Sequence, residues 1–366
     1  MSAQAASGVR RLPLHDKHAD KGARFGAFGG WEVPLYYTSI LEEHEAVRRR
    51  AGLFDISHMG EFFAAGKRAV EFLDALLPRN IAAMADGRAL YMPLLREDGG
   101  IVDDIIVYRF AKDLFLLIVN ASNEEKDFRF MSRRVPAGAA FRNATEEKGL
   151  LALQGPASVR ILARAFGKLP VLSAKYYHFQ PWQSGMIART GYTGEDGFEI
   201  MADQKELPQI WDALFAAGKS EGLAPAGFGA RDTLRIEAGM VLYGHDITEE
   251  TTPLQAGLGW AVDFTKPAFT GREKLLAEKT GGVKRKLVGF EMIERGIPRG
   301  DYEIAKAGSV IGKVTSGSFS PTLQKNIGMG YVPAEEAAPG NEIEILIRAK
   351  ALKGRIVKLP FYQRNK

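Results

Sequence analysis

Two adjacent carboxylates, Asp103 and Asp104, begin a predicted β-strand in which most other residues are apolar. A glycine pair precedes the β-branched run 101–108, and this pattern predicts a strand after a turn. Because successive strand residues point to opposite faces, the two carboxylates cannot face the same pocket. Asp104 shares its face with Ile106 and Tyr108, where a carboxylate is hard to ionise unless a cation pairs with it. Such a group could hold negative charge against a reacting cation; the alternative is a turn-capping Asp beside a solvated one.

A second stretch, residues 189–201, brings three glycines into seven residues. A glycine-rich loop of this kind lets the backbone approach another group closely. Tyr192 lies within it, and Glu199 lies where the chain re-enters a strand. The spacing is neither GxGxxG nor the Gly-Lys-Ser/Thr of a P-loop, which argues against a phosphate site. A hairpin with a glutamate at a buried edge is the alternative to a binding role.

A third candidate is Arg231, which a predicted helix over 229–240 places on one face together with Arg235. A cation near the start of a helix opposes the helix dipole, so Arg231 is expected to have another partner, such as a carboxylate. A solvated helix face is the alternative.

Other polar groups give weaker signals. Asp55, Ser57 and His58 are the residue types of a hydrolase triad, but no nucleophile-elbow pattern surrounds the serine, which favours a structural role. His15 and His18 have a spacing that could hold a metal, yet no third ligand is evident, and no metal site is predicted. The chain has no cysteine, which excludes disulfides, thiolate nucleophiles, zinc–cysteine sites and iron–sulfur ligation.

Size and composition predict a large globular protein. With 366 residues, of which 46% are hydrophobic, two or three domains are expected. The formal charge of +5 suggests an acidic partner or an anionic ligand. No stretch combines Lys/Arg with interleaved aromatics, so nucleic-acid binding is not predicted, and no apolar run is long enough to cross a membrane. The first residues resemble neither a secretory signal nor an Arg-rich transit segment, which favours a bacterial cytoplasm.

Patterns of helices and strands predict an α+β fold. Between residues 67 and 131, two helical patterns flank a predicted hairpin and a third strand, which indicates a compact α+β unit. Beyond residue 251, prolines separate short strands, a texture typical of a small β-barrel or sandwich. A domain boundary near residue 250 follows from this change.

Taken together, these stretches resemble the T-proteins of the glycine cleavage system, which are tetrahydrofolate-dependent aminomethyltransferases. Each motif is weak alone, but in this order they are highly specific, and the match runs nearly end to end. The motifs that carry the resemblance are 29–35, 53–60, 99–104, 120–127, 154–156, 190–195, 229–239, 242–244 and 315–322.

The resemblance implies an α+β cloverleaf of three domains around a central folate channel, with antiparallel sheets, flanking helices and a C-terminal β-barrel. The first domain would be discontinuous, comprising 1–57 plus 147–250. Residues 58–146 would form the inserted second domain and 251–366 the barrel. The discontinuity is implied by the resemblance alone, because the residue patterns do not reveal it.

The resemblance also implies a reaction. The methylene of an aminomethyl group on lipoyl H-protein passes to tetrahydrofolate as co-substrate, giving 5,10-methylenetetrahydrofolate, ammonia and dihydrolipoyl H-protein in glycine catabolism. P-protein and L-protein would be functional partners. Alternatives are a folate-dependent demethylase or related one-carbon transferase of the same superfamily, and a non-enzymatic folate-binding relative whose cysteine-bearing signature cannot exist here.

The site residues follow from the same resemblance. Asp104 matches the essential aspartate near the folate N5/N10 edge, and whether it acts as a base or only electrostatically stays open. Glu199 matches the carboxylate that accepts hydrogen bonds from the amino-pyrimidine edge. The other folate-binding residues implied are Arg231, Tyr192, Tyr91, Tyr108, Met59 and Val119.

Overall fold

A computed structural model describes residues 9–348 and 350–364 of the chain. Its helices, in chain order, are α1 (His15–Asp20), α2 (Ile40–Arg49), α3 (Ala69–Leu76), α4 (Glu124–Ser132), α5 (Ser158–Phe166), α6 (Leu207–Gly218), α7 (Phe228–Glu237) and α8 (Arg272–Gly281). Its strands are β1 (Arg10–Arg11), β2 (Arg24–Phe28), β3 (Trp31–Tyr36), β4 (Gly52–Asp55), β5 (Gly60–Ala65), β6 (Arg88–Leu95), β7 (Ile101–Ala111), β8 (Leu114–Val119), β9 (Ala140–Asn143), β10 (Lys148–Gln154), β11 (Phe179–Trp182), β12 (Gly185–Ala188), β13 (Gly197–Asp203), β14 (Ala224–Pro225), β15 (Arg285–Met292), β16 (Glu303–Lys306), β17 (Ser309–Ser320), β18 (Lys325–Pro333), β19 (Glu342–Ile347) and β20 (Lys350–Val357).

The strands form two large sheets, a small sheet and a barrel. The six-stranded sheet has the order β11-β12-β13-β10-β4-β14, and the five-stranded sheet has the order β6-β7-β8-β5-β9. The chain therefore leaves the six-stranded sheet after β4, builds the five-stranded sheet and returns at β10. Strands β1, β3 and β2 form the small sheet, and β15 to β20 close into a barrel. The α+β fold with mainly antiparallel sheets and a C-terminal β-barrel, as predicted from the sequence, is confirmed.

Strand β7 decides which groups can face the other large sheet. Ile105 and Val107 pack on one side, in the core beneath α3 and α4. Ile106 and Tyr108 point the other way, into the core shared with the six-stranded sheet. Asp104 follows the second pattern and Asp103 the first, because side chains alternate along a strand. Parity thus directs a single carboxylate of the pair toward the space between the two sheets.

Helix α7 is tied to the barrel and to α2 through the buried Glu237. Its carboxylate accepts hydrogen bonds from Ser320 Oγ at 2.5 Å, Thr322 Oγ1 at 2.7 Å and Arg48 Nη2 at 2.8 Å. His44 Nε2 lies 3.2 Å away. Burial alone would raise the pKa of Glu237, but His44 and Arg48 outweigh it and lower that pKa to about 2. This network fixes one end of the helix that carries Arg231.

We expect Glu237→Gln to lower the free energy of unfolding by about 2 kcal/mol, because the new amide turns a donor toward groups that are themselves donors. Denaturant unfolding at neutral pH measures the change. The contribution of the carboxylate is complete above its unfolded pKa of about 4.3 and is lost as the pH falls through about 2. The exposed Glu335→Gln is the matched control, and an equal effect of both variants would contradict the role of the network.

Among the helices that the structure describes, none has the length and apolar character that crossing a membrane would need.

Candidate active site

A cavity of about 600 Å³ lies where the two large sheets, helix α7 and the barrel approach one another. Asp104 and Ile106 come from the five-stranded sheet, Glu199 from the six-stranded sheet, Arg231 from α7 and residues 287–289 from barrel strand β15. Apolar walls with a few converging polar groups are typical of small-molecule sites.

Asp104 faces this cavity and is held by two neighbours. Tyr91 Oη donates to Asp104 Oδ2 at 3.0 Å, and Asn120 Nδ2 donates to Asp104 Oδ1 at 2.8 Å. Burial and the charge of Asp103 raise the pKa of Asp104 to about 7, although the two hydrogen bonds oppose the shift. A carboxyl with such a pKa can exchange a proton near neutral pH.

Asp103 lies on the other side of the strand and is fully buried. It accepts hydrogen bonds from Asn120 N at 2.9 Å, Asn120 Nδ2 at 2.8 Å and Asn123 Nδ2 at 2.7 Å. The parity expectation is therefore met, and neither carboxylate is a solvated turn residue. The amide of Asn120 bonds to both, a link that the sequence pattern did not reveal.

Glu199 lies on β13 with small residues on either side. Its cross-strand neighbours are Ala152 and Ala188, and these short side chains leave room above the carboxylate. Thr190 Oγ1 donates to Glu199 Oε2 at 2.5 Å. Burial raises the pKa of Glu199, and the bond from Thr190 opposes that shift. The loop between β12 and β13 is a hairpin connection, so the hairpin alternative and the binding role both describe this stretch.

The glycines of that loop serve packing against the protein itself. A Cβ at Gly191 or Gly197 would collide with the side chain of Gln154, so close backbone approach is required there. The approached group is thus a protein side chain. Tyr192, in the same loop, lines the cavity, and its hydroxyl donates to Val241 O at 2.5 Å.

Arg231 packs against an aromatic ring. Its guanidinium carbon lies 4.6 Å from the centroid of the Tyr192 ring, a cation–π distance. The expectation that Arg231 pairs with a carboxylate is wrong, because within residues 9–348 and 350–364 Arg231 makes no ion pair. Burial lowers the pKa of Arg231, and the opposing effects of Tyr192 and Glu199 offset this only in part. The charged group is left facing the cavity.

Two of the four remaining sequence-predicted residues line the cavity and two do not. Tyr91 and Met59 lie in its wall. Tyr108 shares the face of Asp104 but lies further along β7, in the core against Phe179. Val119 points into the core beneath the five-stranded sheet, and its neighbour Ile118 lines the cavity instead. The prediction for Val119 is wrong by one position along the strand, and a shift of one residue moves a side chain to the opposite face.

Two of the wall residues that sequence reasoning missed are His58 and Trp260. His58 is enclosed by the rings of Phe28 and Phe228, with centroids 5.8 Å and 4.8 Å away. Burial lowers the pKa of His58 to about 3, so its imidazole is neutral near pH 7. Trp260 is 61% exposed and stacks on Tyr91 at 5.6 Å. A single exposed Trp in a short 3₁₀ helix (Gly259–Ala261) carries no sequence signal, whereas His58 lay inside a motif that was interpreted as structural.

The weaker constellations have structural roles. Asp55 Oδ2 lies 2.8 Å from His18 Nε2, and Tyr37 Oη lies 3.0 Å from His18 Nδ1. Ser57 Oγ donates to Leu150 O at 3.3 Å. Asp55 therefore pairs with a different histidine from the one a triad would use. The part of the chain that the structure describes contains no group of three or more side chains arranged to hold a metal.

Comparison with known families decides the identity. The model of the GCVT N-terminal domain matches residues 14–266, and that of the glycine cleavage T-protein C-terminal barrel domain matches residues 285–363. The chain belongs to the glycine cleavage T-protein family. The resemblance drawn from the sequence motifs is confirmed.

Relatives of this T-protein family member match it over nearly their whole lengths. An aminomethyltransferase of Halothermothrix orenii is 47% identical, covering 96% of this chain and 100% of the relative. One from Desulfitobacterium hafniense is 46% identical, covering 98% and 99%. The crystal structure of glycine cleavage system aminomethyltransferase T from Bartonella henselae superposes with a TM-score of 0.93 at 38% identity, covering 97% of this chain and 99% of that one. The activity is therefore aminomethyl transfer with tetrahydrofolate as co-substrate, as expected.

Proposed function

We propose that Asp104 is the carboxylate that faces the reacting carbon when an aminomethyl group on lipoyl H-protein passes its methylene to tetrahydrofolate. The carbon loses its bonds to sulfur and to the amine and gains bonds to the folate nitrogens N5 and N10. The two protons of those nitrogens balance the released thiol and ammonia. The nucleophiles belong to folate, so the protein supplies orientation and charge complementarity.

Asp104 is suited to two tasks in this transfer. As a carboxylate it favours the cationic, iminium-like methylene that forms when one donor bond breaks. With its pKa raised to about 7, it can also accept a proton from a folate nitrogen. Tyr91 and Asn120 fix both of its oxygens, which holds the charge in place before the substrate arrives.

Glu199 is proposed to hold the pterin ring. An ionised carboxylate can accept about four hydrogen bonds, and Glu199 accepts one from Thr190 Oγ1. The remaining capacity suits the two N–H donors of an amino-pyrimidine edge. Tyr192, Tyr91 and Met59 would form the walls, and the cation of Arg231 would meet negative or carbonyl groups of folate.

The observation that carries this proposal is the shared cavity. Asp104 and Glu199 come from different sheets, yet both line the same space of about 600 Å³. One ligand can therefore contact one carboxylate with its ring edge and the other with its reacting nitrogens. Ligand sites of this kind commonly lie between domains.

We also infer the three-domain division 1–57 plus 147–250, 58–146 and 251–366. Sheet membership supports it, because β4 and β10 are neighbours in one sheet while β5 to β9 form another. The closed barrel begins at β15. Residues 1–8, 349 and 365–366 of those ranges lie outside the described residues.

Membership of the family implies that the chain acts with the H-protein of the glycine cleavage system. The finer proposal is that the lipoylated arm of H-protein delivers the donor carbon into the cavity, with P-protein and L-protein acting before and after. A cytoplasmic location belongs to the same proposal, since the relatives named above are bacterial.

An assay of donors tests this function. Supplied with tetrahydrofolate and aminomethylated H-protein, the protein is expected to release ammonia and form 5,10-methylenetetrahydrofolate. Methylated amine or sulfur donors are expected to give no product, because they carry no aminomethyl carbon for the transfer. H-protein without the aminomethyl group is the control. Turnover of methylated donors alone would instead support a folate-dependent demethylase of the same superfamily.

A further inference from the structure

A third carboxyl group lies behind the two already described. Asp127, on α4, is 0% exposed. Neither of its oxygens accepts a hydrogen bond from any N–H or O–H donor among the residues that the structure describes. Asn123, one helical turn before Asp127, donates to Asp103 Oδ1 at 2.7 Å, which places the Asp127 carboxyl on the side of α4 that faces Asp103. A buried carboxyl without donors is costly when ionised.

The neighbouring donors show which of the two carboxyls is ionised. Burial raises the pKa of Asp103, but Asp103 accepts three N–H bonds from Asn120 and Asn123 that oppose this shift. Asp127 accepts none, so Asp103 is the better place for a single negative charge. Two adjacent buried carboxylates cannot both be ionised without a cation between them. Burial and the charge of Asp103 raise the pKa of Asp127 well above its usual range. An Asp127 that keeps its proton can donate a hydrogen bond to Asp103.

The charged and titratable groups around the pair leave this assignment intact. The charge of Lys126 opposes the pKa shift at Asp127, but its Nζ donates to Val102 O at 2.7 Å and Tyr243 Oη at 2.9 Å, and lies 3.3 Å from Glu249. Its hydrogen bonds therefore go to groups other than Asp103 and Asp127. Asp104 and its partner Tyr91 lie on the opposite face of β7.

We propose that Asp103 and Asp127 share one proton and together act as a positioning element for the transfer. The pair holds Asn120, whose amide group also bonds Asp104 Oδ1. It also keeps one fixed negative charge, rather than two, behind the cavity wall. Asp104 thereby keeps its orientation and continues to gain and lose its proton near neutral pH. This inference rests on the role proposed for Asp104.

The shared proton can be tested without any turnover. Infrared spectra are recorded at pH 9, about two pH units above the pKa of Asp104, so that Asp104 is ionised. The infrared difference of wild type minus Asp127→Asn is then expected to show the carbonyl band of one protonated carboxyl. Wild type minus the exposed Asp113→Asn should show no such band. Absence of the band in the Asp127 difference would overturn the proposal.

The pH profile of kcat tests the positioning role. In the wild type, kcat is expected to rise with pH as Asp104 ionises. Asp127→Asn keeps a neutral donor toward Asp103, so the midpoint of this rise is expected to stay within about 0.3 pH units of the wild type. Asp103→Asn removes the fixed charge, so the midpoint should fall by about one pH unit. A fall in kcat of Asp103→Asn with an unmoved midpoint would mean a merely structural role, and an equal fall of midpoint in both variants would mean that Asp127 is ionised. If the wild type itself shows no limb, the role of Asp104 fails, while the infrared result still decides the shared proton.

Discussion

Asp104→Asn is expected to lower kcat by at least about 10²-fold and to change the Kd for tetrahydrofolate by less than about threefold. The substitution keeps the size of the side chain but removes the charge that favours the cationic carbon, and an amide cannot accept the proton. Ring binding is proposed to depend mainly on Glu199 and the aromatic walls, so affinity should survive. Single-turnover rates with aminomethylated H-protein and equilibrium titration with tetrahydrofolate separate the two quantities.

The pH dependence of this variant carries the same information. In the proposed role the ionised form of Asp104 is the active one, and its pKa is raised to about 7, so wild-type kcat should rise with pH through about 7. The limb should be missing in Asp104→Asn and present in the exposed control Asp113→Asn. Equal losses of kcat and folate affinity would contradict the assignment and make Asp104 a binding residue.

Glu199→Gln is expected to weaken tetrahydrofolate binding by about 10–100-fold, the cost of one or two charge-assisted hydrogen bonds. The amide offers one acceptor oxygen and turns its NH₂ toward ring donors, so the amino-pyrimidine edge loses a partner. At saturating folate, kcat should fall much less than in Asp104→Asn. Titration of the free protein with tetrahydrofolate measures the change.

The control for this substitution is Glu335→Gln, which makes the same chemical change at an exposed position. Thermal unfolding of all variants would show whether the fold is retained. An unchanged Kd in Glu199→Gln would remove Glu199 from the folate site, whatever its effect on turnover.

Local pattern sufficed to predict the orientation of the two aspartates. Alternation along a strand needs only the positions of neighbouring residues, and Asp103 and Asp104 do face opposite ways. The same rule describes the face of Tyr108 but not how far along β7 the cavity extends. That limit depends on where the six-stranded sheet and the barrel meet the strand, which no local pattern contains.

Long-range partners were the part that sequence could not supply. Arg231 was expected to meet a carboxylate, and its neighbour is the ring of Tyr192. The bridge from Asn120 to both aspartates depends on the end of β8 lying beside β7. The family motifs identified these residues as members of one site. They did not predict which of them contact one another.

The insertion of one sheet between β4 and β10 imposes an order on folding during synthesis. Strand β4 ends at Asp55, and Leu151 of β10 is the residue paired with it. The ribosome must therefore make every strand from β5 to β9 before β4 gains that neighbour. Pairings between residues so far apart along the chain form slowly, because the intervening loop has to close first. The nascent chain can thus complete its inserted sheet while β4, made earlier, is still without a partner strand.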